Sequence, residues 1–278
     1  MNAMRRQSGM TIIELMIAAA LGLVISYFVI NIMVSSARNA GVSEGLAQAQ
    51  ETGRLVMAWM TEQTSVGGYD GNYLSGTGGI EPVAELCAGG AMPPAAGADC
   101  TFNSDNNTNG GDRIAIRRTA GGLNSGTREQ TTCTAQALPA AMVSSGAEIV
   151  DVYWVLPNTA DADTTNDFQL WCVTYDAGGN PIGAAQSIAN GVESIQLLLG
   201  IGDNDGSIEH YEEPSGSTNY GRVVSVRIAI LARDFSGTTL DRAERTYGLL
   251  NSTPVTYDDQ VARYVQTGTI WFPNRKNI

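Results

Sequence analysis

The sequence predicts an α+β protein in which one long N-terminal helix packs on an antiparallel β-sheet. Two observations carry this prediction. No charged residue occurs from Leu15 to Val34, and apolar residues then recur at helical spacing. In the later part of the chain, several segments instead alternate apolar and polar residues, as half-buried strands do. Stretches rich in Gly, Asn, Thr and Ser separate these segments and predict long loops.

The first half of the helix has the properties of a membrane span. At a rise of about 1.5 Å per residue, Leu15–Val34 would be about 30 Å long, which is enough to cross a bilayer core. A leader with Arg5 and Arg6 precedes this span, Gly9 follows the leader, and Glu14 lies just inside the apolar edge. A carboxylate in an apolar helix costs about 2.5–3.5 kcal/mol at the bilayer centre and less near its edge, so we expect Glu14 to have a partner. An ordinary transmembrane anchor is the alternative interpretation.

The second half of the helix is amphipathic, with polar residues around the rest of the axis. We predict one helix from about Thr11 to about Thr64, and the alternative is a separate soluble helix after a break at Ser35 and Ser36. Gly41, Gly45 and Gly53 each weaken the helix by about 1 kcal/mol relative to alanine, which favours local melting or bending there. The apolar stripe consists of Val42, Leu46, Ala49, Gly53, Val56, Met57 and Met60.

Strand patterns follow a loop-rich region that extends to residue 112. In one of them, Phe168, Leu170 and Cys172 share a face and Trp171 and Val173 share the other, as alternation requires. A turn from Asp176 to Asn180 leads into a further segment of the sheet. The other predicted strands are Arg113–Arg118, Glu148–Leu156, Val192–Ile201, Val223–Arg233 and Tyr264–Phe272.

The charge of the chain argues against a nucleic-acid partner. The formal net charge is −12, from 16 basic and 28 acidic residues. Removal of a leader with Arg5 and Arg6 would leave 14 basic residues against 28 acidic ones, a net charge of −14. Lys276 is the only lysine, and no basic patch is visible in the sequence. Such a chain would repel nucleic acid.

The four cysteines predict two disulfides. Cys87, Cys100, Cys133 and Cys172 all lie beyond the apolar span, and an even number of cysteines in an exported region indicates disulfide pairing. We favour pairing between neighbours, Cys87 with Cys100 and Cys133 with Cys172, while the other connectivities stay open. No two cysteines are three residues apart and His210 is the only histidine, so the sequence gives little support for a zinc site.

We find no catalytic constellation and expect neither an enzyme activity nor a cofactor. The one candidate ligand site is a weak one for Ca²⁺, in which Asp203, Asp205 and Glu209 supply oxygen atoms at nearby positions. It is not an EF-hand, because Gly206 occupies the fourth loop position rather than the sixth and Pro214 the twelfth. The alternative is an Asp-Gly turn between two strands.

The order of basic leader, Gly9, and an apolar helix with an early Glu14 resembles the class III signal of type IV prepilins. This resemblance implies cleavage between Gly9 and Met10 and methylation of the new N-terminus at Met10. It also implies that the helix first anchors the protein in the membrane and then joins the filament core. The usual residue after the cut is Phe, and Met10 departs from it. We expect the amine freed at Met10 of one subunit to pair with Glu14 of its neighbour and so to set the register.

Further segments resemble the PilW-type minor pilins. In that family the protein is a low-abundance pilus component, thought to act in a complex of minor pilins that starts assembly near the tip. Such a role would contribute to adhesion or twitching motility. The similar segments are Gln48–Arg54, Gly67–Gly71, Gly111–Ile114, Ile188–Gln196, Gly202–Gly206 and Val224–Ala229.

The resemblance implies four parts: a leader (1–9), a transmembrane and filament-core helix (10–34), its amphipathic continuation (35–66) and a β-rich globular domain (67–278). We expect a single pass through the bacterial inner membrane with a periplasmic C-terminal domain, and later a place in a surface pilus. The implied partners are other minor and major pilins, the prepilin peptidase and methylase, the inner-membrane assembly platform and the membrane itself. A minor pseudopilin of a type II secretion system and a tip adhesin on a pilin anchor are the alternatives.

Overall fold

The computed structural model describes most of the chain. It describes residues 9–71, 79–87, 94–95, 97–121, 129–157, 168–203, 206–234 and 240–274. The chain divides into two compact units, Met1–Glu44 and Gly45–Ile278.

The long helix α1 extends over Ile12–Thr64, 53 residues without a break. The predicted single helix is therefore confirmed, and the alternative break at Ser35 and Ser36 is absent. The buried stripe differs from the predicted one at Val42, which is only half-buried, and at Leu46, which is 37 % exposed. Gly45 is buried in its place, because residue 46 is turned by about 100° from it around the axis of the helix. The buried residues of α1 are Gly45, Ala49, Gly53, Val56, Met57, Met60 and Thr64.

The rest of the chain is predominantly β-structure. Within the described residues it forms eleven strands, one short helix and two single-turn 3₁₀ helices, Asn107–Asn109 and Tyr220–Arg222. All of the strands predicted from the sequence are present, with small shifts at their ends. The strands are β1 (Gly110–Gly111), β2 (Ile114–Thr119), β3 (Glu148–Pro157), β4 (Phe168–Asp176), β5 (Pro181–Asn190), β6 (Val192–Gly202), β7 (Ile208–Glu212), β8 (Val223–Arg233), β9 (Ala243–Tyr247), β10 (Val255–Asp259) and β11 (Arg263–Trp271), and the short helix α2 is Ala140–Ser145.

These strands form two main sheets instead of the single predicted sheet. The first has the order β2-β3-β4-β5 and is antiparallel throughout. The second has the order β1-β6-β8-β11, with β7 also paired to β6, and only the two-residue strand β1 runs parallel to its neighbour. Strands β9 and β10 form a separate hairpin. The fold class is α+β, as the sequence predicts.

The main hydrophobic core lies between the two sheets and the second half of α1. It combines side chains of α1 with those of β2, β3, β4, β6, β8 and β11. Leu170 and Cys172 of β4 belong to this core, whereas Val173 packs with Trp171 in a second cluster on the opposite face. The alternation predicted for this strand is therefore confirmed.

Strand β8 is buried on both faces. Val226, Ile228 and Ile230 lie on one face and enter the main core. On the other face, Ala229 and Leu231 pack in a separate cluster with Val255 of β10. The sequence did not predict that the β9–β10 hairpin packs on this face of β8, because β9 and β10 are only five residues long and carry several charged side chains.

Two glycines allow α1 to approach β11 closely. A Cβ atom at Gly53 would lie 3.0 Å from the Cβ atom of Gln266. A Cβ atom at Gly268 would lie 2.6 Å from the sulfur of Met57, which is too close for a non-bonded contact. Gly53 thus permits this close contact, although on propensity alone it only weakens the helix.

Two disulfides join the four cysteines. Cys87 is bonded to Cys100 with a Cα–Cα distance of 5.4 Å, and Cys133 to Cys172 with a Cα–Cα distance of 6.3 Å. This is the neighbour pairing favoured from the sequence. The second disulfide ties the loop before α2 to strand β4 in the main core, where Cys133 is 4 % exposed and Cys172 is fully buried.

A buried carboxylate, Asp112, fastens a loop to the second sheet. One of its oxygens accepts a hydrogen bond from the backbone N–H of Ser104 (2.7 Å) and the other from that of Leu197 in β6 (2.8 Å). Burial raises the pKa of Asp112 to about 7, and the negative charges of Glu213 and Asp105 add to the effect, while the two backbone hydrogen bonds oppose it.

The free energy of unfolding is therefore expected to fall as the pH rises from about 4 to about 7. In that window native Asp112 keeps a proton that the unfolded chain has lost, so a rising pH favours the unfolded state. The expected loss between pH 5 and pH 7 is about 2–3 kcal/mol, at about 1.4 kcal/mol per pKa unit. Urea unfolding at pH 5, 6, 7 and 8 measures it. The free energy of unfolding of Asp112→Asn should change less with pH than that of the wild type. The same pH dependence in the two proteins would contradict the prediction.

Candidate functional site

The N-terminal segment that precedes the helix is open to solvent. Gly9, Met10 and Thr11 are all exposed, and α1 begins at the next residue. A Cβ atom at Gly9 would meet no other atom of the described structure within 4 Å. Arg5 and Arg6 of the leader lie outside the described residues. The peptide bond between Gly9 and Met10 is thus sterically accessible within the described structure.

Thr11 and Glu14 form a reciprocal cap at the start of the helix. The backbone N–H and the hydroxyl of Thr11 donate to Oε2 of Glu14, at 2.9 and 3.0 Å. In return, the backbone N–H of Glu14 donates to Oγ1 of Thr11 at 3.3 Å. This is a capping box, in which an N-cap Thr and a Glu three residues later satisfy two backbone donors that helical bonding leaves free. The spacing Thr-x-x-Glu before an apolar run could have revealed it in the sequence.

The cap occupies only one of the two carboxylate oxygens. Both hydrogen bonds of Glu14 use Oε2, and Oε1 accepts none from any residue that the structure describes. The side chain is also exposed. Glu14 can therefore hold the first turn of its own helix and still offer an oxygen to a cation of another molecule.

The helix beyond Glu14 exposes an apolar surface. Leu15, Ile17, Leu21 and Val24 are each more than half exposed. None of residues 15–34 is buried in the described structure. By length and composition the helix could span a membrane. A helix that is apolar all round needs a membrane or a bundle of other helices to cover it.

Two residues of the candidate calcium site are described: Asp203 directly follows β6, and Glu209 lies in β7. The carboxylate of Asp203 accepts hydrogen bonds from the backbone N–H and the hydroxyl of Ser207, at 3.0 and 3.1 Å. Glu209 pairs with Arg222 at 3.2 Å, and Asp205 lies outside the described residues. Among the described residues, no group of three His, Cys, Asp or Glu side chains could hold a metal ion. Calcium binding here stays a prediction.

Two regions of the chain match known protein families or motifs. Residues 4–26 match the prokaryotic N-terminal methylation motif. Residues 152–274 match the family described as Type IV Pilus-assembly protein W. Residues 152–274 thus resemble PilW-type proteins, and the N-terminus carries a prepilin-type methylation motif. The second match begins in β3 and extends through β4 to β11, so β1 and β2 lie outside it. Three of the PilW-like segments recognised in the sequence fall within it.

The chain is also similar in structure to the type IV-like pilin TTHA1219 from Thermus thermophilus. The TM-score is 0.41 and the sequence identity is 12 %, over 83 % of this chain and 98 % of the other. A comparison with curated proteins found no match.

One PilW-like segment, Ile188–Gln196, contains a buried charge. Glu193 accepts hydrogen bonds from the guanidinium of Arg263, which also donates to Asp259 at 2.7 Å. Glu193 and Arg263 are both buried, so this pair fixes β6 to the start of β11 inside the fold. The contacts of Glu193 therefore stabilise the fold. Pilins as a family are structural, membrane-associated proteins that interact with other pilus components.

Proposed function

We propose that this protein is a non-enzymatic minor pilin of a bacterial type IV pilus. It acts in the complex of minor pilins that starts pilus assembly, and so contributes to adhesion or twitching motility. One observation carries the proposal: a single unbroken helix joins an exposed apolar segment, capped by Glu14, to a domain that matches the PilW family. The apolar half of α1 would be covered first by the membrane and then by neighbouring helices of the filament.

The proposed orientation is a single pass through the inner membrane with the globular domain in the periplasm. Basic residues before a span favour the cytoplasmic side, and Arg5 and Arg6 precede this one. Two disulfides in the globular domain suit an oxidising compartment. The proposed partners are other minor and major pilins, the prepilin peptidase and methylase, and the assembly platform of the inner membrane.

Gly9→Val should leave the leader attached. We expect the peptidase to bind the residue before the cut in a narrow site that a valine side chain does not fit. In the chain itself, a Cβ atom at Gly9 would meet no other atom within 4 Å. Any loss of processing would therefore come from the peptidase and not from misfolding. Mass spectrometry of the purified protein measures it. Gly22→Val is the matched control, because Gly22 also has open space around it, and it should be cut normally. Removal of the leader from Gly9→Val, or its retention in the wild-type protein, would contradict the prediction.

Deletion of the protein tests the function as a whole. Surface pili are counted by electron microscopy, and release of type II exoproteins is assayed in the same strain. Loss of pili with intact secretion supports the proposal. Loss of secretion with normal pili would indicate the pseudopilin alternative, and normal pili with lost attachment would indicate the adhesin.

A further inference from the structure

The disulfide between Cys87 and Cys100 lies against a buried guanidinium. Nη2 of Arg113 is 2.7 Å from the sulfur of Cys87 and 3.7 Å from that of Cys100. Nε of Arg113 donates to the backbone carbonyl of Cys100 at 3.1 Å, and the ring of Phe102 lies 5.8 Å from the guanidinium carbon. The cation is therefore fixed on the Cys87 side of the bond.

The other disulfide has a different environment. Cys133 and Cys172 are buried in the main core, and within the described residues neither of their sulfurs accepts a hydrogen bond from a cation. Cys87 and Cys100 are both half-buried. Of the two disulfides, the bond beside Arg113 is both the more accessible and the one with a positive charge at a sulfur atom.

We propose that Cys87–Cys100 is a site of thiol–disulfide exchange with a fixed polarity, in which Cys100 is attacked and Cys87 is the leaving group. The partner is a reducing dithiol, such as the active-site cysteine pair of a thiol oxidoreductase. Arg113 is a positioning and charge-stabilising residue for this exchange. The inference does not depend on the proposed role in pilus assembly.

The exchange balances as a two-electron transfer. The thiolate of the dithiol attacks the sulfur of Cys100, a new S–S bond forms there, and the Cys87–Cys100 bond breaks. Its electron pair passes to the sulfur of Cys87, which is held as a thiolate by Arg113. The second thiol of the partner loses its proton to solvent, and its thiolate attacks the partner sulfur of the mixed disulfide. The bond to Cys100 breaks, the sulfur of Cys100 leaves as a thiolate and takes up a proton from solvent, and the partner is left with an internal disulfide.

The size of the effect follows from general thiol chemistry. A neighbouring cation makes a thiol more acidic by about one to several pKa units, and a more acidic thiol is the better leaving group. We take for the leaving group a dependence of the same size as that of the attacking thiol, about 0.4–0.5 in the logarithm of the rate per pKa unit. About two pKa units then correspond to roughly a tenfold change in rate. The same preference should decide which cysteine carries the mixed disulfide.

The first test maps the mixed disulfide in the wild-type protein. Full-length protein in detergent is treated briefly with reduced glutathione, quenched with acid and alkylated, and peptides are identified by mass spectrometry. Glutathione should be found on Cys100 in roughly tenfold excess over Cys87. Equal labelling, or an excess on Cys87, would overturn the proposal.

The second test varies the charge. Arg113→Met should slow dithiothreitol reduction of Cys87–Cys100 about tenfold and abolish the labelling preference, whereas Arg113→Lys should keep most of both. Cys133–Cys172 in the same molecules is the internal control and should be reduced at an unchanged rate. General loosening of the fold would act in the opposite direction and accelerate reduction of both bonds. Unchanged or faster reduction of Cys87–Cys100 in a folded Arg113→Met protein would refute the role of Arg113. If the Met variant does not fold, the labelling ratio of Arg113→Lys decides, and a ratio near one refutes it.

Discussion

Glu14→Gln is expected to be inserted in the membrane and cut normally but to fail completely in pilus assembly. Gln can replace Glu at position N3 of a capping box, three residues after the N-cap. Its amide oxygen can therefore still accept hydrogen bonds from Thr11. The variant therefore keeps the start of α1 and loses only the charge. A more apolar helix should also insert at least as well as the wild type.

The charge is expected to matter because of its surroundings in a filament. In a bundle of apolar helices an unpaired carboxylate is costly, and removing its partner leaves that cost uncompensated. The amine freed at Met10 of an adjacent subunit could reach Oε1, which the cap leaves open. Such a pair would both neutralise Glu14 and fix the stagger between neighbouring helices.

The measurement is complementation of a deletion strain, with pili counted and leader removal followed by gel shift. Glu14→Ala should also fail, and it removes the cap as well as the charge. Thr11→Val removes the cap hydroxyl but keeps the carboxylate, at a cost of about 1 kcal/mol to the helix start, and it should still assemble pili. Ile13→Val should have almost no effect. Full piliation with Glu14→Gln would show that the charge does not set the register here.

The sequence predicted those parts of the fold that depend on local periodicity. The helix from residue 12 to residue 64 and the strands at β2, β3, β4, β6, β8 and β11 each carry a clear pattern of apolar residues. The division into two sheets could not be predicted, because it depends on which strands pair across long loops. The β9–β10 hairpin was missed because its five-residue strands carry several charged residues and only a short apolar face, formed by Tyr247, Val255 and Tyr257.

The candidate site was predicted in outline. The functional assignments of Gly9, Met10 and Glu14 came from the prepilin resemblance and stay predictions, whereas the cap between Thr11 and Glu14 is a finding of the structure. The cap was missed because Glu14 was considered only as a charge in an apolar helix. Arg113 carried no signal in the sequence, since its contact with Cys87 requires β2 and the loop at residue 87 to meet.

Asp151→Ala is expected to destabilise the globular domain by about 3–5 kcal/mol, because it leaves the buried guanidinium of Arg118 without its carboxylate. Nε of Arg118 lies 2.7 Å from Oδ2 of Asp151, and both side chains are almost fully buried. The other carboxylate oxygen accepts from the hydroxyl of Thr174 at 2.6 Å, and that hydroxyl accepts from the backbone N–H of Cys133 at 3.0 Å. The ion pair therefore also holds the loop that carries the second disulfide.

Glu148→Ala on the same strand is the matched control for this prediction. Glu148 pairs with Arg117 at 3.2 Å, but its side chain is 43 % exposed, so the loss should be below about 1 kcal/mol. Urea unfolding with both disulfides oxidised measures the two variants. A loss of 3–5 kcal/mol is a large part of the 5–15 kcal/mol typical of whole domains, so Asp151→Ala should be partly unfolded at 37 °C. Reduction of Cys133–Cys172 should also become faster in Asp151→Ala, since the loop around Cys133 loses its anchor. Equal losses in the two variants would mean that burial does not decide the strength of this pair.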